Sequence, residues 1–265
     1  MSPSWTDLTL AWPLAKRDIL ARYRGSLLGV AWALVAPLAM VLVYTLVFRG
    51  VFQARWGAAV DAGGGVDGFG YVARLFAGLI AFQAVAEVAT RATRLIQDNA
   101  NLVKRVVFPL DLLVLSLLMQ VGVHTLLQAG VLVLLLLAFG DGPRWTWLLL
   151  PIAGLWLLLL QYLVSVVLTS LGPYLRDLQH VVPVSMTGLL FLSPVFYPMD
   201  AAPAVLRAVL AVNPVSAPIE LARAAWFGSA VDWVTIGWQG LVLLLALPAA
   251  RWMFHRLRPG FADLV

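Results

Sequence analysis

Residues 108–139 read FPLDLLVLSLLMQVGVHTLLQAGVLVLLLLAF, a run of 32 residues in which Asp111 is the one charged side chain. A helix needs about 20 apolar residues to cross the hydrocarbon core of a bilayer. This stretch is too long and too apolar for a helix buried in a soluble core. It therefore predicts an all-α integral membrane protein.

The composition of the whole chain agrees with this class. Of the 265 residues, 62% are apolar and only 12% charged, whereas about 25% of a soluble protein is charged. The net charge of +5 does not indicate nucleic acid, because the basic residues form short clusters between apolar runs, as orientation signals do. The absence of cysteine excludes a disulfide framework, a thiolate metal site and a cysteine nucleophile.

Six apolar runs predict six transmembrane helices. With the N-terminus inside, the cytoplasmic segments hold twelve of the eighteen Lys and Arg residues and the outer segments hold six. This asymmetry favours a topology with both ends in the cytoplasm. The predicted spans are 27–48, 71–96, 108–139, 145–171, 181–197 and 233–254.

The first 26 residues predict an amphipathic helix on the cytoplasmic surface, ahead of the six-helix domain 27–265. Apolar residues recur there at helical spacing, with a break expected near Pro13. The alternative is a basic flank that snorkels from the first span. The members of the apolar stripe are Trp5, Leu8, Trp12, Ala15, Ile19 and Tyr23.

Residues 199–229 predict a re-entrant segment on the outer side, between spans five and six. They are apolar, yet Pro203, Pro214 and Pro218 divide them into pieces too short to cross. Two half-helices that enter and leave the membrane would satisfy this pattern, because broken backbone is tolerated where protein or a cavity surrounds it. A plain periplasmic loop is the alternative.

No catalytic or metal site is predicted, because the three histidines are scattered and no common catalytic motif occurs. No P-loop occurs either, so ATP hydrolysis is expected in a separate chain. Glu87 and Arg91 are spaced for an ion pair, with a proton relay as the alternative.

Two stripes of regularly spaced side chains, one polar and one aromatic, need an interpretation. Gln120, His124 and Gln128 follow one another by one turn each and predict either a hydrogen-bonded seam between helices or the wall of a wet cavity. Tyr44, Phe48 and Phe52 form an aromatic face. It either packs against lipid or core, or lines a path on which sugars stack.

Five stretches in order resemble one known family. They are RYRGSLLG at 22–29 followed by Trp32 and Pro37, NANLVKRVVFP at 99–109, YLRDL at 174–178, SPVFYP at 193–198 with Asn213-Pro214, and FAD at 261–263. The ordered set resembles the transmembrane permease subunits of polysaccharide-exporting ABC transporters, the exporters of O antigen, capsule and teichoic acid.

The resemblance implies a homodimer in the bacterial inner membrane, bound to two copies of a P-loop ATPase that carries ATP and Mg. It implies a coupling helix in 97–105, outer gate helices in 199–229 and a cytoplasmic tail at 255–265. The implied ATPase contacts are Asp98, Asn99, Asn101, Lys104, Arg105, Arg22 and Arg24. The implied outer-gate residues are Pro194, Tyr197, Pro198, Asn213 and Pro214.

The resemblance further implies a lipid-linked glycan as substrate, with Tyr44, Phe48 and Phe52 as channel-lining candidates. Membrane lipids are expected partners and nucleic acid is not. Two other functions stay open from the sequence. One is an ABC exporter permease for drugs or small lipid-like molecules, which shares the fold. The other is a membrane-embedded transferase, which would need ionisable groups converging at one membrane face.

Overall fold

The computed structural model describes residues 5–44, 46–47, 68–104, 109–140 and 142–264. Within these ranges the regular structure is entirely helical, as the all-α prediction requires. Short 3-10 turns join some of the helices. The α-helices are α1 (Trp5–Tyr23), α2 (Trp32–Tyr44), α3 (Gly68–Ala92), α4 (Leu95–Asp98), α5 (Ala100–Val103), α6 (Asp111–Phe139), α7 (Leu150–Leu171), α8 (Leu178–Phe191), α9 (Ala204–Val212), α10 (Ser216–Phe227), α11 (Trp233–Leu257) and α12 (Phe261–Leu264).

Four of the described helices are long and apolar enough to cross a membrane. They are α3, α6, α7 with the 3-10 turn before it, and α11 with the turn after it, at 24 to 29 residues each. α2 and α8 have 13 and 14 residues, fewer than the 20 or so that a straight crossing needs. Six crossings and their orientation therefore stay predictions.

The long helices pack around α3. In its most apolar 18-residue stretch 78% of the residues are buried, against 22–33% in α6, α7 and α11. The outer helices carry exposed leucines such as Leu126 (73%) and Leu245 (65%), which is the surface that lipid requires. The sequence alone does not distinguish the central helix from the outer ones.

The helices α3, α7 and α11 run in one direction and α6 runs in the opposite one. The start of α3 meets the end of α6 through the rings of Phe69 and Phe139, 5.7 Å apart. At the opposite end Gln97 donates to the Gly172 carbonyl just after α7. The bundle thus has an α9–α10 end and an α4–α5 end, and these names are used below.

α1 corrects two details of the sequence prediction. The helix is continuous through Pro13, although proline removes one backbone hydrogen bond. Ala11 and Ala15 are fully buried, while Trp12 is 48% exposed. α1 packs on α6 through its small residues, because these allow close approach of two helices.

Residues 204–227 form the pair of short helices expected for a re-entrant segment. α9 and α10 meet at an angle of 95°. Asn213 sits at the corner in extended conformation, which the following Pro214 imposes on it. The pair is confirmed as helical, and its entry into the membrane stays a prediction.

The predicted coupling segment is not one rigid helix. α3 ends at Ala92, and the chain continues as the single turns α4 and α5, with Asn99 between them. The Asn99 amide donates to the Leu95 carbonyl at 2.9 Å. A side chain that bonds its own backbone in this way competes with helix continuation.

Candidate functional site

A cavity of about 780 Å³ lies between α1, α3, α6 and α8. We call it the central cavity. Its size falls in the range of ligand-binding pockets, about 300–1,000 Å³. Its polar lining includes Glu87 and Arg91 on α3, His124 and Gln128 on α6 and Thr187 on α8. A polar cavity inside a bundle of lipid-exposed helices is a candidate ligand site.

A hydrogen-bond network closes one side of the central cavity and joins three helices. Arg91 donates to Glu87 at 3.3 Å and also to the Gln120 amide oxygen. Gln120 in turn donates to Asp18 on α1 at 3.0 Å and to Ser116 at 3.2 Å. The predicted Glu87–Arg91 ion pair is therefore confirmed. It belongs to a larger network that fixes α1 against α3 and α6.

The structure combines the two interpretations of the α6 stripe. Gln120 is 3% exposed and makes the interhelical bonds of a seam. All three stripe residues, Gln120, His124 and Gln128, also line the central cavity. The stripe is thus a seam at its first residue and a cavity wall along its length.

At the α9–α10 end, Arg223 is 1% exposed. It donates to the backbone carbonyls of Pro194, Val195 (2.6 Å) and Arg74 (3.4 Å), and to Glu220 at 3.2 Å. These bonds satisfy a charge that would otherwise be costly to bury. They tie α10 to α3 and to the segment after α8.

Asn213 ties the α9–α10 corner to its surroundings. Its amide donates to the Leu192 carbonyl at 2.9 Å and the Ser193 hydroxyl at 2.8 Å, and its oxygen accepts from the Val215 amide. Gln239 of α11 donates to the Asn213 carbonyl at 3.3 Å. The corner is thereby fixed to both α8 and α11.

The other predicted gate residues lie around these two anchors. Pro194 is buried and Pro214 is exposed. Tyr197 donates to the Phe191 carbonyl at 2.8 Å, and Pro198 precedes a short 3-10 turn. The structure thus collects the predicted residues at one end of the bundle, without testing their role as a gate.

At the α4–α5 end, two distant motifs of the sequence meet. Tyr174 donates to the Leu257 carbonyl at 2.9 Å and lies 6.2 Å from the ring of Phe261. Phe261 is fully buried, and α12 packs against α5. The chain end is thus built into the same corner as the predicted coupling segment.

The predicted ATPase contacts divide by exposure. Asp98, Asn101, Lys104 and Arg24 are exposed, and Asn99 is half-buried. Their docking role stays a prediction. Outside the described residues lie Arg105, Phe48 and Phe52, and the side chains of Arg22 and Tyr44 are likewise not described.

Sequence reasoning did not select Asp18 or Arg223 as site residues. Arg223 did carry a signal, because a charge in an apolar segment requires a partner. Asp18 carried none, since an acidic residue on a surface helix is ordinary. Within the described ranges, no group of three His, Asp or Glu side chains could hold a metal ion.

Comparison with known proteins gives one family. The ABC-2 type transporter profile matches residues 9–227. The O-antigen export system permease protein RfbA of Klebsiella pneumoniae is 23% identical over 253 residues, which cover 95% of this chain and 93% of the relative. RfbA of Myxococcus xanthus is 26% identical over 255 residues, covering 95% and 94%. The polysialic acid transport protein KpsM of Escherichia coli is 23% identical over 237 residues, covering 87% and 86%.

The chain belongs to the ABC-2 type transporter family. It is homologous to permeases of O-antigen and polysaccharide export. Together with the apolar helices, this makes it a multi-pass protein of the bacterial inner membrane. The family resemblance seen in the sequence motifs is thereby confirmed.

Proposed function

We propose that this member of the ABC-2 type transporter family is the channel-forming permease subunit of an ATP-driven exporter for lipid-linked polysaccharide. The observation that carries the proposal is the nearly end-to-end similarity to permeases named for O-antigen export and polysialic acid transport. A hydroxylated polymer cannot dissolve in hydrocarbon. Its export therefore needs a continuous polar path through protein.

The working assembly that we propose is a homodimer with two copies of a P-loop ATPase, which bind ATP and Mg. Each protomer crosses the membrane six times, with both ends in the cytoplasm. The absence of a P-loop in the sequence supports this division of labour, because the chain lacks the phosphate-binding loop of such ATPases. The chain itself is a transport subunit and not an enzyme.

We place the ATPase contact at the α4–α5 end. Asp98, Asn101 and Lys104 are exposed there, and the turns that carry them pack against α6 and α12. Arg24 follows α1, which is bonded to α6 through Asp18 and Gln120. If nucleotide binding by the ATPase moves the α4–α5 end, α3 and α6 should move with it, because packed helices shift as rigid bodies.

We place the outer gate at α9 and α10, around Pro194, Tyr197, Pro198, Asn213 and Pro214. α10 is fixed to α3 by Arg223, whereas α9 presents Val205 (82%) and Val212 (69%) outward. An element with few buried contacts opens at low cost. By this reasoning α9 is the moving part of the gate and α10 is its support. Tyr44, Phe48 and Phe52 remain channel-lining proposals.

The test is deletion of this gene in the bacterium that carries it, with complementation by the full chain. We expect surface polysaccharide, measured by antibody or lectin binding, to disappear and to return with the complementing gene. Unchanged surface polysaccharide in the deletion strain would rule out the proposed substrate.

The division of labour has its own biochemical test. The purified chain should hydrolyse no ATP, and hydrolysis should appear when the ATPase subunit is present. ATP hydrolysis by the isolated chain would contradict the assignment of that activity to a partner.

A further inference from the structure

The central cavity continues in both directions along α3. A second cavity of about 200 Å³ shares Asp18, Arg91 and Gln120 with it and reaches Asp98 and Asn99. A third cavity, of about 110 Å³, shares Gln83 and Gln128 with it and extends to Phe76 and Met40. Shared lining residues make these three cavities neighbours, and the third is apolar apart from Gln83 and Gln128. We call the series the polar track.

The polar track covers much of the membrane depth. Phe76 and Arg91 lie on the same helix, and 15 residues of α-helix rise about 22 Å. The hydrocarbon core is about 30 Å thick. The track thus leads from the α4–α5 end well into the bundle. It is more than a surface pocket at one interface.

The chemistry of the lining indicates a ligand that both donates and accepts hydrogen bonds. Of the seventeen residues around the central cavity, ten have polar side chains. Two of these polar residues, Gln83 and Gln128, line both the central cavity and the third cavity. An amide offers two donors and a carbonyl acceptor, and a hydroxyl offers both roles. The amides therefore match a sugar hydroxyl in either role. The Thr125 and Thr187 hydroxyls donate to the Val121 and Pro183 carbonyls and can accept from a sugar hydroxyl.

The charges of the lining argue against an anionic ligand. The described lining of the central cavity holds two carboxylates, Asp18 and Glu87, against one guanidinium, Arg91. Arg91 already donates to Glu87 and to Gln120. Arg17, which lines the second cavity, is likewise paired with Asp18 at 2.9 Å. Phosphate recognition depends on charge-assisted bonds from Arg or Lys, and both guanidiniums of the described lining are already bound to carboxylates of the track.

We propose that the polar track binds uncharged, hydroxyl-rich sugar units of the exported glycan, with Gln83 and Gln128 as direct contacts. This inference rests on the proposed export function and adds the binding surface and the charge class of the sugar. It assigns the sugar contact to amide and hydroxyl groups of α3, α6 and α8.

The test uses the natural absence of cysteine. Gln83→Cys and Gln128→Cys are made singly in the full chain and expressed in the native host. A small hydrophilic maleimide is added to inner-membrane vesicles from cells that make the glycan and from cells in which its synthesis is deleted. We expect labelling of both cysteines without glycan and loss of that labelling when glycan is present.

Arg256→Cys is the control, because Arg256 is exposed near the end of α11 and does not belong to the described lining of the three cavities. Its labelling should not change with glycan. Equal labelling of Gln128→Cys in both vesicle types would mean that the track holds only water and would overturn the proposal. No labelling in either type would mean a track closed to hydrophilic molecules, with the same consequence.

A second arm tests the charge class with purified full chain in nanodiscs. A neutral mannose oligosaccharide should slow the labelling of Gln128→Cys by the factor 1 + [L]/Kd, about tenfold at nine times Kd. A phosphorylated oligosaccharide of the same length should protect less. Equal or better protection by the phosphorylated form would overturn the selection for uncharged sugar.

These outcomes are separate from failure of the export function. If the deletion strain keeps its surface polysaccharide, the proposed export function is wrong, and the assignment of the exported glycan as ligand of the polar track is wrong with it. If the deletion strain loses its polysaccharide and the cysteines show no protection, the sugar-binding track alone is wrong.

Discussion

At the scale of single residues, buried polar side chains determine how the short segments of this protein are held. Arg223 is among the largest fully buried side chains of the described chain, and Asn213 uses both its donor and its acceptor groups. Each residue bonds to backbone groups outside the regular helices, Arg223 to the carbonyls of Pro194 and Val195 and Asn213 to that of Leu192. A buried backbone carbonyl without a partner would be costly. These two residues therefore stabilise irregular backbone near the α9–α10 corner.

Replacement of Arg223 should be among the most damaging single changes. Arg223→Ala removes the hydrogen bonds to the carbonyls of Pro194 and Val195 and the ion pair with Glu220. Loss of one partner of a buried ion pair typically costs about 3–5 kcal/mol. We expect a lower unfolding temperature of the purified protein and reduced surface polysaccharide. Arg207→Ala, an exposed arginine in the same segment, is the control, and equal destabilisation by the two variants would contradict this role.

Asp232 caps α11 and gives a prediction with a defined pH dependence. Its carboxylate accepts from the Thr235 hydroxyl at 2.6 Å and from the Val234 and Thr235 amides. These bonds, the Thr235 hydroxyl foremost, hold the pKa of Asp232 below its usual value. The capping contribution is therefore present above the unfolded pKa, about 3.9. It is lost as the pH falls through the lower, folded-state pKa.

The cap should be replaceable by asparagine and not by alanine. Asp232→Ala should cost about 1 kcal/mol, the usual value of an N-cap, measured by chemical unfolding in detergent at neutral pH. Asp232→Asn should retain most of that stability and lose its dependence on acidic pH. If neither Asp232→Ala nor Asp232→Asn changes the free energy of unfolding, the start of α11 is stabilised by packing and not by the cap.

At the scale of elements, the described helices divide into a fixed frame and attached segments. α3 is the buried centre, and α10 is fixed against it. α4 and α5 continue from α3, and α12 packs on α5 and contacts Tyr174 through Phe261. At this α4–α5 end of the bundle the backbones of neighbouring segments lie close together, and glycine permits such a close approach.

Gly172 is the position where this approach can be tested. A Cβ atom there would overlap the Thr93 carbonyl oxygen at the end of α3. Overpacking typically costs about 1–3 kcal/mol, so Gly172→Ala should lower thermal stability. It should also weaken hydrogen-exchange protection of residues 93–99. Gly154→Ala within α7 meets nothing within 4 Å and should be neutral or slightly stabilising. Equal thermal stability of the two variants would show that the backbone around Gly172 can shift to accept a methyl group without loss of stability.

At the scale of the whole molecule, the described chain is one bundle with irregular structure at both ends. The α4–α5 end carries exposed charged and polar residues, and the α9–α10 end carries the broken helix pair. The polar track begins at the first of these ends and leads into the bundle. This arrangement suits a subunit that receives energy at one end and opens at the other.

Charge reversal should separate energy coupling from folding. Lys104→Glu together with Arg105→Glu should impair export and stimulated ATPase activity of the complex. Membrane insertion of the permease should be unchanged. Arg256→Glu, an exposed charge change near the end of α11, is the control and should leave coupling intact. Normal export and coupling in the double variant would remove these residues from the ATPase contact.

The sequence by itself determined the class of the protein and the position of most long helices. Continuous apolar runs, such as 111–139, specify helices because a bilayer satisfies no backbone groups. Pro214 specified the α9–α10 corner for an equally local reason. The ordered motifs also sufficed to recognise the family. Each of these features depends on neighbours along the chain.

Only the tertiary structure decided which polar residues meet. Asp18 and Gln120 are 102 positions apart, and Arg223 and Arg74 are 149 apart. The spacing of residues along a helix shows which face of the helix they share, but it does not show which other helix packs against that face. For the same reason, the sequence could not choose between a seam and a cavity wall for residues 120–128. The packing of α1, α3, α6 and α8 around that stripe made it both.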